Sequence, residues 1–207
     1  MNGGAPPRVR SVAWSKDDPL GTEHADLTLR GDGLSAAGVA IGSHPEPYRL
    51  DFALETGDRF VTSRLEVTTR GEGWRRRIGV ERAASGDWSV DASADGDIDL
   101  PAPGGEMSRF DAALDVDLGL SPVTNSMPLL RHGLLEGGHA PELLMAWVSV
   151  PDLALHASKQ RYTSLDPVED GGRLVRFEDQ DDFVAEIVFD SDGLVVDYPG
   201  IATRIRA

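Results

Sequence analysis

Residues 48–67 read YRLDFALETGDRFVTSRLEV, and their alternation decides the fold class. Tyr48, Leu50, Phe52 and Leu54 fall on one side of an extended chain, with Arg49, Asp51 and Glu55 on the other. "VTSRLEV" repeats the pattern, placing Val61, Leu65 and Val67 inside and Thr62, Arg64 and Glu66 outside. A period of two marks a strand with one face in a core and the other in water.

The same habit extends along the chain. "RRIGVE" and "DWSVD" are two further strands, separated by a hairpin-like break at Ala83–Gly86. "LLMAWVSV" (Leu143–Val150) is apolar on both faces and reads as a covered, central strand. "LALHASKQRYTSL", "RLVRFE" and "DFVAEIVF" follow, and the turn "DSDG" leads into "LVVDY", which Pro199 ends. Long amphipathic helices are missing. A mostly β domain results. Two stretches, "RRIGVERAASGDWSVD" and "VAEIVFDSDGLVVDY", share a strand–turn–strand plan, each after another strand pair. One domain over 1–207 is expected, with similar halves at about 12–91 and 141–203 and a junction at 92–140.

A chain of 207 residues can bury a sizeable core, about 70% of its unfolded surface. It contains no cysteine, so disulfides, thiolate metal sites and cysteine nucleophiles are excluded. No apolar run approaches the roughly 18–20 residues that span a bilayer, and the N-terminus lacks a secretory hydrophobic core. A soluble, cytoplasmic protein is the expectation. The formal charge of −15 repels phosphate backbones, so nucleic acid is not an expected partner. The basic run "GWRRR" (Gly73–Arg77) splits its arginines between two faces and reads as a solvated edge. The oligomeric state stays open.

The junction contains "DVDLGLSPVTNSMPLLR" (Asp115–Arg131). Asp115 and Asp117 share a face of a strand, about 6.5–7 Å apart at Cα. Side by side in so acidic a chain, they read as solvated, or as one capping the next turn, before they read as a glycosidase pair. Ser126–His132 is the best helical candidate, with Asn125 or Ser126 as its cap, Pro128 in its first turn and Gly133 as its stop. Arg131 can pair with Asp115 or Asp117 and hold the segment to the sheet, or join Thr124 and Asn125 in binding sugar hydroxyls. In "SKQRY", His156, Ser158, Gln160 and Tyr162 share a face that reads first as outer surface and second as the wall of a polar cavity. Trp14, Trp74, Trp88 and Trp147 suit core or cavity wall. The five histidines show no HxH or HExxH spacing, and no nucleophile elbow, P-loop or dinucleotide fingerprint occurs. Neither a metal nor a cofactor is expected.

"LDVDLGLSPVTNSMPLLR" resembles the central signature of the glycolipid-binding protein family once classed as a domain of unknown function. The resemblance also covers Trp14 with Glu23, the Tyr48 strand, the turn before Trp88, "VSVPDL", "KQRYT" and "DGLVVDYPG". Asp115, Asp117, Pro122, Thr124, Asn125, Pro128 and Arg131 match its pattern, as do Gln160, Tyr162, Asp197, Tyr198 and Pro199. Ser121 and Ser126 replace threonines and Leu130 the first of two arginines, which weakens a paired cationic site. The resemblance implies a large, curved antiparallel sheet forming a half-barrel or barrel, similar in outline to bacterial carriers of lipoprotein acyl chains.

The leading expectation is a non-enzymatic binder of a lipophilic or glycolipid-like molecule. Acyl chains would lie on a concave face built from Leu50, Phe52, Leu65, Trp147, Phe183 and Ile187. Asn125, Arg131, Gln160 and Tyr162 at the rim would meet the headgroup, with Asp115 and Asp117 nearby. A hydrolase acting on a sugar or lipid ester through Asp115 or Asp117 is one alternative, and a β-scaffold for protein binding another.

Overall fold

The computed structural model describes residues 6–206. Seven strands run as an antiparallel meander: β1 (Arg8–Asp17), β2 (Leu20–Leu29), β3 (Leu34–Gly42), β4 (Tyr48–Thr56), β5 (Thr62–Gly71), β6 (Trp74–Arg82) and β7 (Trp88–Gly96). The junction then supplies the short β8 (Asp115–Leu118), a 3₁₀ turn at Pro122–Asn125 and one helix, α1 (Ser126–Arg131). Six strands complete a second meander: β9 (Leu143–Val148), β10 (Leu155–Pro167), β11 (Arg173–Asp179), β12 (Val184–Phe189), β13 (Val195–Tyr198) and β14 (Ala202–Arg204). Pairing of β1 with β14 splices both meanders into one 14-stranded sheet, whose edges are β7 and β8. The edges do not pair, so the sheet is an open, curved half-barrel rather than a closed barrel. Every pairing is antiparallel except β8 with β9.

Three glycines explain how the first meander curves so tightly. Gly38, Gly42 and Gly71 face Phe52, Tyr48 and Trp74 on the neighbouring strands. A Cβ at these glycines would sit 2.5, 2.3 and 2.4 Å from those rings. Each ring therefore lies flat across the next strand in the space of a missing side chain, a device that lets a sheet bend without opening a void.

The curl brings β8 against β5. The Thr62 N–H donates to the Leu114 carbonyl (3.0 Å), and the Thr62 hydroxyl accepts the Val116 N–H (3.1 Å). Thr62, expected to face outward, is buried, because the pairing register shifts between Glu55 and Thr56. The junction thus enters the half-barrel. Val116, Leu118, Val123 and Met127 join Leu50, Phe52 and Leu65 in one core, while Leu129 joins Tyr162, Val175 and Ile187 in a second. Trp14, fully buried, ties the meanders together by donating to the Val195 carbonyl (3.0 Å).

Other expectations need correction. β6 is not an edge, and Arg76 points inward, donating to the Leu100 (3.1 Å) and Pro101 carbonyls that cross the sheet above it. β9 is buried on both faces, with Ala146 and Val148 in one core and Leu143 and Met145 in the other, yet it lies next to the edge strand β8. α1 has no side-chain cap: Asn125 is itself helical in backbone, and its amide is engaged elsewhere. Gly133, at φ +63°, does stop the helix.

Candidate functional site

Charges placed on the apolar parity of a strand must find partners inside the fold. Lys16 and Glu23, on the inward faces of β1 and β2, pair at 2.8 Å with side chains 7% and 1% exposed. The Ser121 hydroxyl donates to the other Glu23 oxygen (2.7 Å), pinning the start of the 3₁₀ turn to the first meander. At its far end Arg131 grips Asp115 through two hydrogen bonds, one of 2.7 Å, with both side chains almost wholly buried. Arg131 also donates to the Phe60 carbonyl (3.4 Å). Burial pushes the Asp115 carboxyl upward, and the guanidinium opposes that shift.

Between these anchors lies a third group. Asp117 accepts one hydrogen bond on each oxygen, from Thr124 Oγ1 and Gln160 Nε2, both 2.7 Å. The Tyr162 hydroxyl lies 3.0 Å from both Asn125 Oδ1 and Gln160 Oε1, with one proton between them. Burial, joined by the Asp115 and Asp179 charges, pushes the Asp117 carboxyl above its ordinary range against those two hydrogen bonds. Burial likewise raises the Tyr162 and Tyr198 phenols, which stay protonated at neutral pH.

This group forms the floor of a cavity of about 690 Å³, which opens at the end of the half-barrel where the β1–β2, β3–β4, β9–β10 and β11–β12 turns gather. Asp117, Ser121, Asn125 and Gln160 face it from below. Trp147, His156, Phe177, Phe183 and Tyr198 stand around it. The Trp147 and His156 rings lie 5.3 Å apart, and Phe177 meets Tyr162 and Tyr198 edge-on at 5.2 and 6.0 Å. The chain reaches the floor through a tight exit from β8. Gly119 donates to the Val148 carbonyl (2.8 Å), and a Cβ there would lie 3.2 Å from the Trp147 indole nitrogen. Leu120 follows at φ +60°, a strained value for a branched aliphatic residue that the flanking contacts hold in place.

The structure therefore sorts the expected site residues into three places. Asn125, Gln160, Asp117 and Trp147 line the cavity. Tyr162 stands directly behind it, 1% exposed. Asp115 and Arg131 form a buried lock away from the lining, and Phe52 lies in the core. Asp115 is not solvated, and Asp117 is only partly exposed, because the junction runs inside the sheet rather than over it. The His156, Ser158 and Gln160 face of β10 is cavity wall, not outer surface. Leu50 and Leu65, like Phe52, are packed in the core, where junction side chains fill the concave face against them. Sequence reasoning missed Lys16 and Ser121. Lys16 was visible as a charge in step with Val12 and Trp14, whereas Ser121 carried no periodic signal. Among the described residues no group of three or more His, Cys, Asp or Glu side chains is placed to hold a metal ion. No described helix is long and apolar enough to cross a membrane.

Comparison with known proteins bears on the family and the fold. The model of the family described as "Putative glycolipid-binding" matches residues 11–204. The crystal structure of a DUF1089 family protein from Pseudomonas aeruginosa is similar, with 28% identity and a TM-score of 0.66 over 88% of this chain and 92% of that one. No curated protein matches the chain. A family match over residues 11–204 and a similar fold in a solved DUF1089 protein lead to one conclusion: this chain belongs to the glycolipid-binding family formerly designated DUF1089.

Proposed function

We propose that the protein binds a glycolipid-like amphiphile without turning it over, in the cavity at the mouth of the half-barrel rather than along its filled concave face. The headgroup meets Asp117, Asn125 and Gln160, and the apolar part packs against Trp147, Phe177 and Phe183. One observation carries this reading: hydrogen-bonding side chains held rigid by buried partners form the floor beneath aromatic walls. That division suits an amphiphile, since burial of each CH₂ contributes about 0.8 kcal/mol while a few hydrogen bonds set orientation. The volume of about 690 Å³ is within the common range of small-molecule sites and suits a headgroup with the first part of a chain.

A binder is favoured over a sugar- or lipid-ester hydrolase because both Asp115 oxygens are committed to Arg131, leaving Asp117 without its neighbour on the strand. Native mass spectrometry of gently purified protein, paired with thermal unfolding in lipid extract, tests the proposal. A lipid adduct is expected. Ligand at a hundredfold excess over Kd should add about 2.7 kcal/mol, or roughly 5–10 °C in Tm for a domain of this size. Only the bare protein mass, with no stabilisation by any lipid fraction, would overturn it.

A further inference from the structure

Resting on that reading, the structure points to the class of headgroup: we propose that the cavity selects a neutral, hydroxyl-rich sugar and rejects anionic headgroups, with Asp117 as the residue that determines this specificity. Hydrogen-bond capacity favours a ligand rich in donors. Asp117 accepts on both oxygens from Thr124 and Gln160, the pattern of an ionised carboxylate, and each oxygen keeps a further lone pair. The Tyr162 hydroxyl has one proton for two amide oxygens, so either Asn125 Oδ1 or Gln160 Oε1 remains unsupplied. The Ser121 proton is spent on Glu23, which leaves the hydroxyl oxygen as an acceptor. A floor with surplus acceptors is satisfied by a ligand rich in donors. Sugar hydroxyls supply them, whereas a phosphate, sulfate or carboxylate brings acceptors only.

Charge favours a neutral ligand. The lining holds three carboxylates, Asp117 on the floor with Asp179 and Asp181 on the wall, against one guanidinium, Arg109, exposed at the rim. Asp179 is fixed as an acceptor, receiving the N–H groups of Asp181 (2.8 Å) and Phe183 (3.0 Å). An anionic headgroup reaching the floor loses its water and approaches like charge, a juxtaposition that weakens binding steeply. Shape favours a sugar ring. Tyr198, among the aromatic lining, offers a ring surface for the C–H face of a pyranose, while the polar floor takes its hydroxyls.

Isothermal titration calorimetry with octyl β-glucoside and octyl β-glucuronide tests this, since the two share chain and ring and differ by a carboxylate. Both are used below their micelle concentrations at low salt, with thermal unfolding in lipid extract in parallel. The glucoside should bind at least about tenfold more tightly. Asp117→Asn should weaken glucoside binding and narrow the gap, as should added salt for the wild type. Equal or tighter binding of the glucuronide would overturn the inference and leave the amphiphile reading standing. Binding of neither glycoside, with stabilisation by lipid extract, would overturn the sugar specificity alone. Absence of both would overturn the two readings together.

Discussion

Replacing Arg131 with methionine tests whether the junction is a locked part of the core. The guanidinium makes two hydrogen bonds to Asp115 and one to the Phe60 carbonyl, with the paired side chains 1% and 2% exposed. Methionine retains much of the aliphatic stem but strands the Asp115 carboxylate without a cation. Removing one partner from a buried pair costs about 3–5 kcal/mol, a large part of the roughly 5–15 kcal/mol that keeps a domain folded. The double variant Asp115→Leu/Arg131→Met removes both charges and should recover most of that loss, because two apolar groups need no partner. Urea denaturation followed by far-ultraviolet circular dichroism gives all four corners of the cycle. A coupling of about 2 kcal/mol or more is expected. A cost below about 1 kcal/mol for Arg131→Met, or strictly additive costs, would show that the pair does not lock the segment.

Three further outcomes follow from the packing and the electrostatics. Gly38→Ala puts a methyl where the Phe52 ring lies and should cost about 1–3 kcal/mol by overpacking; a urea midpoint unchanged from wild type would contradict the glycine–aromatic account of curvature. Phe52→Ala should cost about 3–5 kcal/mol of stability yet leave ligand affinity unaltered, whereas Gln160→Ala should weaken binding; calorimetry and denaturation on both variants separate the two effects. Burial raises Asp117 above its ordinary value of 3.8, so the folded state holds that proton more tightly than the unfolded chain. The stabilising share is full below the ordinary value and is lost as pH rises through the raised one. With Asp115, Asp179 and the Arg131 cation unchanged, the stability of Asp117→Asn relative to wild type should therefore shift in the variant's favour as pH rises from about 4 to 7. A pH-independent difference in urea midpoint would refute it.

The fold was legible because strand alternation is local. Tyr48, Leu50, Phe52 and Leu54 announce their face without knowledge of any partner. The curvature was not legible from pattern alone, because it depends on which glycine stands across from which ring, as Gly38 does from Phe52. The site was legible in part. Gln160 and Tyr162 were visible as a polar face, but its direction is set by whether the junction lies inside the sheet. In this fold it does, so residues read as outer surface became cavity wall and the concave face became filled core. Asp115 and Arg131 illustrate the same point. Their spacing allowed a pair, and burial made that pair a lock.

The most direct test of the account is a crystal structure of the protein with octyl β-glucoside. The sugar is expected in the cavity of about 690 Å³, its hydroxyls donating to Asp117 and to Asn125 or Gln160, with the chain along Trp147 and Phe183. A ligand seated among Leu50, Phe52 and Leu65 after displacement of the junction, or outside the cavity altogether, would contradict it.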